Sequence, residues 1–112
     1  MSTTEQGRAA EQLVARHLEH MGHTVLAQNW RTRSCEIDIV SQKNQTVYLV
    51  EVKYRATEQW GGGVEAITSK KLSQMNYAAT VWITHNKWNG DVALMVASVS
   101  GTPPSIDDLF EV

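Results

Sequence analysis

The sequence predicts an α/β domain, a mixed sheet flanked by helices in the order helix, three strands, helix, strand. Three observations carry that expectation. Residues 3–21 and 69–85 place apolar side chains at helical spacing. Between them lie three runs rich in β-branched and aromatic residues, His23–Trp30, Ile37–Val40 and Val47–Val52. Last, Asp91–Val99 (DVALMVASV) is almost continuously apolar, as expected of a strand covered on both faces. With 112 residues, of which 42% are hydrophobic and 20% charged, the chain is expected to form one domain over 1–112, with 101–112 as a C-terminal tail.

In the first helix, Ser2-x-x-Glu5 fits a capping box and Gly22 a stop. Ala9, Ala10, Leu13, Val14, His17, Leu18 and Met21 form the expected core stripe. His17, His20 and His23 step by three, but His23 lies past the glycine, so the three do not converge on a metal. The first strand faces the core through either Val25 and Ala27 or Thr24 and Leu26. Ala56–Gly63 reads as a loop whose glycines (61–63) would let backbone approach a phosphate and whose Trp60 would stack on a base, local packing being the favoured alternative. Thr68 or Ser69 caps the second helix, with Leu72, Met75, Ala79, Trp82 and Ile83 inward. Asn89-Gly90 is a turn, and Ile106–Phe110 is expected to dock as a short helical turn.

The informative stretch is Cys35–Arg55. Ile37–Val40 and Val47–Val52 flank the polar segment Ser41–Gln45, which suggests an antiparallel hairpin. A turn centred on Asn44-Gln45 makes strand partners sum to 89, so Asp38 falls opposite Glu51 and Glu36 opposite Lys53. Alternation then puts these four on one face and Ile37, Ile39, Val50 and Val52 on the other. Opposed carboxylates repel unless a cation lies between them. Hard divalent ions such as Mg²⁺ or Mn²⁺ take carboxylate and carbonyl oxygens and keep several waters. Asp38, Glu51 and the backbone carbonyl of Val52 would hold such an ion against a phosphate, with Lys53 orienting the attacking water. That is the pattern of metal-assisted phosphodiester hydrolysis, with Asp38, Glu51 and Lys53 as the catalytic set. The plainer account is that Glu51 and Lys53 are solvated charges on a strand, since an E-x-K triplet arises by chance in about a third of such chains.

Gly7-Arg8-x-x-Glu11, the helix ending at Gly22, Asn29-x-Arg31, Glu36-Ile37-Asp38 and Val50-Glu51-Val52-Lys53-Tyr54-Arg55 together resemble the YraN-type uncharacterised protein family. That family belongs to the restriction-endonuclease-like superfamily and is similar to archaeal Holliday-junction resolvases. The resemblance implies a nuclease core and assigns Asp38, Glu51 and Lys53 to the acid, acid and base of the nuclease motif. It also implies that Glu11 joins the metal site from the first helix, and that Lys71 matches a basic residue opening the second. Cys35 stands where the family usually has Gly, and Asn89-Gly90 where it usually has Arg-Phe.

Charge and composition bound the partners. A net charge of −2 argues against broad electrostatic binding of DNA. Yet residues 29–75 hold seven basic groups against five acidic ones, while 88–112 hold four acids and no Lys or Arg. Arg31, Arg55, Lys70 and Lys71 are the expected phosphate contacts. A lone cysteine, Cys35, excludes an intrachain disulfide. The chain has neither a long apolar run nor a leader pattern, so a cytoplasmic location without membrane contact is expected. The leading expectation is a Mg²⁺- or Mn²⁺-dependent endonuclease acting on DNA more than RNA; symmetric cutting of a four-way junction would call for a homodimer. A binding module that keeps the nuclease fold without catalysis is the rival, and a plain structural domain the third reading.

Overall fold

A computed structural model describes residues 3–56 and 67–112. The elements are α1 (Thr3–His20), β1 (Thr24–Arg31), β2 (Glu36–Lys43), β3 (Thr46–Arg55), α2 (Ser69–Asn86), β4 (Asp91–Ser100) and β5 (Ser105–Glu111). They build a five-stranded sheet in the order β1-β2-β3-β4-β5. Only β3 and β4 run parallel; the other neighbours are antiparallel. The parallel pair needs a crossover connection, and α2 supplies it.

Each helix covers one face. Ala10, Val14, Ala15 and Leu18 of α1 pack on Ile39, Val50, Met95, Ala97 and Val99. On the other face Ala78, Ala79 and Trp82 of α2 pack on Ile37, Val40, Val47 and Leu49. Consecutive residues such as Leu49 and Val50 therefore serve opposite cores, which is why the central strands are apolar throughout. The buried stripe of α1 is rotated from the expected one: Ala15 is inside, whereas His17 and Met21 are exposed. Removing a fully buried side chain such as Leu18 should cost about 2–5 kcal/mol.

Caps and turns follow local chemistry. The Thr68 hydroxyl accepts the Lys71 N–H at 3.0 Å, which fixes the start of α2. Gly90 lies so close to the Gln45 carbonyl and the Trp88 ring that a Cβ there would come within 2.6 Å of the carbonyl oxygen. This close approach lets the Asp91 N–H reach the same carbonyl at 2.9 Å and start β4 beside the β2–β3 turn. Ser2 and the Trp60–Gly63 stretch lie outside the described residues.

The segment expected to dock as a short helical turn is instead strand β5, antiparallel to β4. The alternation that would have revealed it is broken by a bulge. Val99 pairs with Ile106 and Ser98 with Asp108, so Asp107 is an extra residue. Ile106 and Leu109, three apart, thus both reach the α1 core. A similar shift in β1 inserts Leu26, so Val25 faces the α1 core and Ala27 the α2 core.

Candidate functional site

The hairpin has the expected register, with Ile39 opposite Val50, Val40 opposite Leu49 and Lys43 opposite Thr46. Continued, it would bring Ile37 opposite Val52 and send the Val52 N–H to the Ile37 carbonyl. The observed pairing ends at Ile39–Val50, and the Asp38 carboxylate takes the Val52 N–H at 2.8 Å instead. A side-chain oxygen has replaced a ladder carbonyl. In a strand the N–H and C=O of one residue point to the same side. The Val52 carbonyl is therefore directed toward the same gap between β2 and β3.

This departure corrects the expected faces. Ile37 does not share a face with Ile39; it joins the α2 core, whereas Ile39, Val50 and Val52 line the α1 core. Glu36 does not meet Lys53. It pairs across β1 with Arg31 at 2.8 Å, so the expected phosphate contact Arg31 is engaged by a carboxylate. Asn29, with φ at +53°, marks the matching irregularity in β1. Asn and Asp tolerate this left-handed geometry better than most residues. Its side-chain N–H donates to Glu11 Oε1 at 3.1 Å, anchoring the α1 glutamate.

Glu51 projects toward α2. Lys71 Nζ lies 3.1 Å from its Oε2 and Lys53 Nζ 3.9 Å from the same oxygen. Lys71, at the opening of α2, thus reaches back to the carboxylate of β3. Lys70 stands exposed beside it, and Arg55 closes β3 half-buried.

Asp38 is the electrostatic anomaly. Burial pushes its carboxyl from the ordinary 3.8 up to about 7, and the Glu51 carboxylate adds to the rise. The Val52 N–H offsets part of it, while Glu11 and Glu36 push further up. The structure therefore couples Asp38 to Glu51, with Lys53 and Lys71 at the latter. It does not gather all three expected carboxylates. Among the described residues, no group of three or more His, Cys, Asp or Glu side chains could hold a metal ion. Glu11 acts on Asp38 through its charge and lines, with Arg8 and Arg31, a cleft of about 430 Å³.

The donor set still fits a hard cation. Magnesium is commonly held by one or two carboxylates, its remaining positions being water and phosphate oxygens. Asp38, Glu51 and the Val52 carbonyl are oxygen donors of that kind. A dication would offset the burial that raises Asp38 and relieve the Glu51 repulsion that adds to it. Two features escaped the sequence reading: Asn29 as the partner of Glu11, and Lys71 as the counter-ion of Glu51. The unusual φ of Asn29 leaves a faint trace in residue type; the reach of Lys71 depends on how α2 packs and leaves none.

Comparison with known proteins gives a consistent result. The model of Uncharacterised protein family UPF0102 matches residues 10–99. A UPF0102 protein of Clavibacter michiganensis is 39% identical over 111 residues, covering 94% of each chain. One from a Sulfurihydrogenibium species is 36% identical over 102 residues, 90% of this chain and 89% of its own. A third, from Acidothermus cellulolyticus, is 40% identical over 80 residues, 71% of this chain and 61% of its own. Among the described residues no helix is long and apolar enough to cross a membrane. The motifs on α1, β2 and β3 and the match over residues 10–99 agree: the chain belongs to the UPF0102 family, the YraN-type family that its sequence resembles.

Proposed function

We propose that this protein is a Mg²⁺- or Mn²⁺-dependent nuclease that hydrolyses a nucleic-acid phosphodiester, DNA in preference to RNA. One observation carries the reading. At the end of the β2–β3 ladder a half-buried Asp38 is coupled to Glu51, which Lys53 and Lys71 both approach. Two acids and a lysine on adjoining strands suit phosphodiester hydrolysis better than they suit a packed sheet.

Asp38, Glu51 and the Val52 carbonyl would hold the ion, with Glu11 contributing charge from α1. When bound, the ion supplies Lewis-acid polarisation of the phosphoryl oxygen and a more acidic water. Lys53, on the same face as Glu51, holds and orients the attacking water. Lys71 neutralises Glu51 in the free protein and turns to the phosphate when substrate enters. Arg55, Lys70 and Arg31 supply the outer phosphate contacts, Arg31 after exchanging Glu36 for phosphate.

A second reading has its own support. The absence of a three-carboxylate group among the described residues and the ion pair on Glu51 suit a module that binds nucleic acid without cutting it. A panel of labelled single-strand, duplex, flap and four-way DNA with Mn²⁺ separates the two. The nuclease reading expects cutting of at least one substrate, lost in Glu51→Ala and in Lys53→Ala. Binding without cutting supports the module; cutting that survives both substitutions comes from a contaminant and removes the nuclease reading.

A further inference from the structure

Glu51 and Lys71, 3.1 Å apart, line a cleft of about 460 Å³ between the residues that open β2 and the first turns of α2. That volume is in the range of small-ligand sites. Its lining is not that of a phosphate site alone. Ser34, Ser73 and Gln74 supply neutral donors and acceptors, the buried Met75 supplies an apolar floor, and Tyr77 adds an aromatic ring.

Tyr77 is the telling residue. It is 51% exposed, a large aromatic left open on a helix whose neighbours Ala78 and Ala79 are buried. Its hydroxyl donates to Ser34 Oγ at 3.0 Å, tying α2 to the segment before β2. The ring is thus tethered at its tip while much of its surface remains free. A side chain already held in place loses little freedom on stacking. Exposed aromatic rings are how proteins hold single-stranded nucleic acid, because every base has a face to stack; here the charged groups lining the cleft are Lys71, Glu51 and Glu36. A base inside a duplex is already stacked on its neighbours; only an unpaired one offers a free face to the ring.

We propose that this cleft takes one unpaired nucleotide, its base stacked on Tyr77, its edge bonded by Gln74 and Ser73, and its phosphate at the Glu51–Lys71 end. The inference rests on the nuclease reading for the meaning of that end, and it narrows the substrate class. The preferred strand carries an unpaired nucleotide at the cut, as in a flap, an overhang or an open junction.

The test uses the full chain with EDTA present, so that no strand is cut. A short DNA strand bearing 2-aminopurine, whose fluorescence is quenched by stacking, is titrated alone and as a perfect duplex. The wild type should quench the single strand. Tyr77→Ala should bind it about tenfold more weakly and lose the quench, Tyr77→Phe should restore the quench and part of the affinity, since it stacks but lacks the tether to Ser34, and duplex affinity should not change. Unaltered binding and quenching in Tyr77→Ala would overturn the proposal, as would an equal loss on single strand and duplex. The two readings fail separately. Tyr77-dependent quenching without Mn²⁺-dependent cutting removes the nuclease and keeps the nucleotide cleft; cutting with no dependence on Tyr77 does the reverse.

Discussion

Two polar side chains, one buried and one half-buried, sit in the same sheet region under opposite conditions. His23, just before β1, places Nδ1 2.9 Å from the hydroxyl of the fully buried Ser41, and its ring lies 4.7 Å from that of Tyr48. Burial first, and the charge of Lys43 second, lower its pKa, so it is neutral and satisfied. Asp38 sits on the same strand as Ser41, three residues earlier. It has one backbone N–H, and both burial and the Glu51 carboxylate act against its charge. Burial alone therefore does not mark function. Burial that a charged group would escape if it could does, since structures keep such strain where a ligand relieves it.

The contrast can be broken or sharpened by substitution. The largest gain in stability is expected at Asp38. Its folded pKa is raised, so the folded state holds the proton longer than the unfolded state, and stability falls as pH rises from about 4 to about 7. Asp38→Asn removes that loss and keeps an oxygen for the Val52 N–H. It should stabilise the metal-free protein by about 1–3 kcal/mol at pH 8 and change little at pH 4, measured by urea unfolding. No gain at pH 8 would mean that Asp38 is an ordinary solvated carboxylate.

Ser41→Ala should act with the opposite sign. It leaves His23 Nδ1 without its partner and costs about 1–3 kcal/mol. The lowered pKa of His23 also predicts that stability contributed there is lost on acidification below the ordinary 6.5. In a pH series of melting curves, the slope below 6.5 should flatten when His23 is replaced by Gln, whereas the slope between 4 and 7 should flatten with Asp38→Asn. Lys71→Ala should have the smallest effect on stability. Its pair with Glu51 is partly exposed, the side chains at 28% and 17%, so the loss should stay below about 1 kcal/mol. Thermal melts check this, and a larger loss would make Lys71 a structural strut.

Much of the architecture was legible because it follows from local periodicity. The two helices, the hairpin register and the doubly covered β4 come from spacing and turn residues. What escaped were the points where spacing is interrupted. Asp107 and Leu26 each add one residue to a strand, shifting the alternation that would have declared β5 and the two faces of β1. Before Asp38 the ladder stops, although simple alternation would carry it on through Ile37–Val52 to Glu36–Lys53. The sequence placed Asp38 opposite Glu51, but it could not say that the Asp38 carboxylate would replace a backbone carbonyl or that Glu36 would turn to Arg31. Those outcomes depend on competition among long-range partners.

The most direct measurement is a calorimetric Mn²⁺ titration of the wild type beside Asp38→Ala and Glu51→Ala, with circular dichroism to verify the fold. The wild type should bind the ion and neither variant should, both variants remaining folded. Binding of unchanged strength in both variants would contradict it.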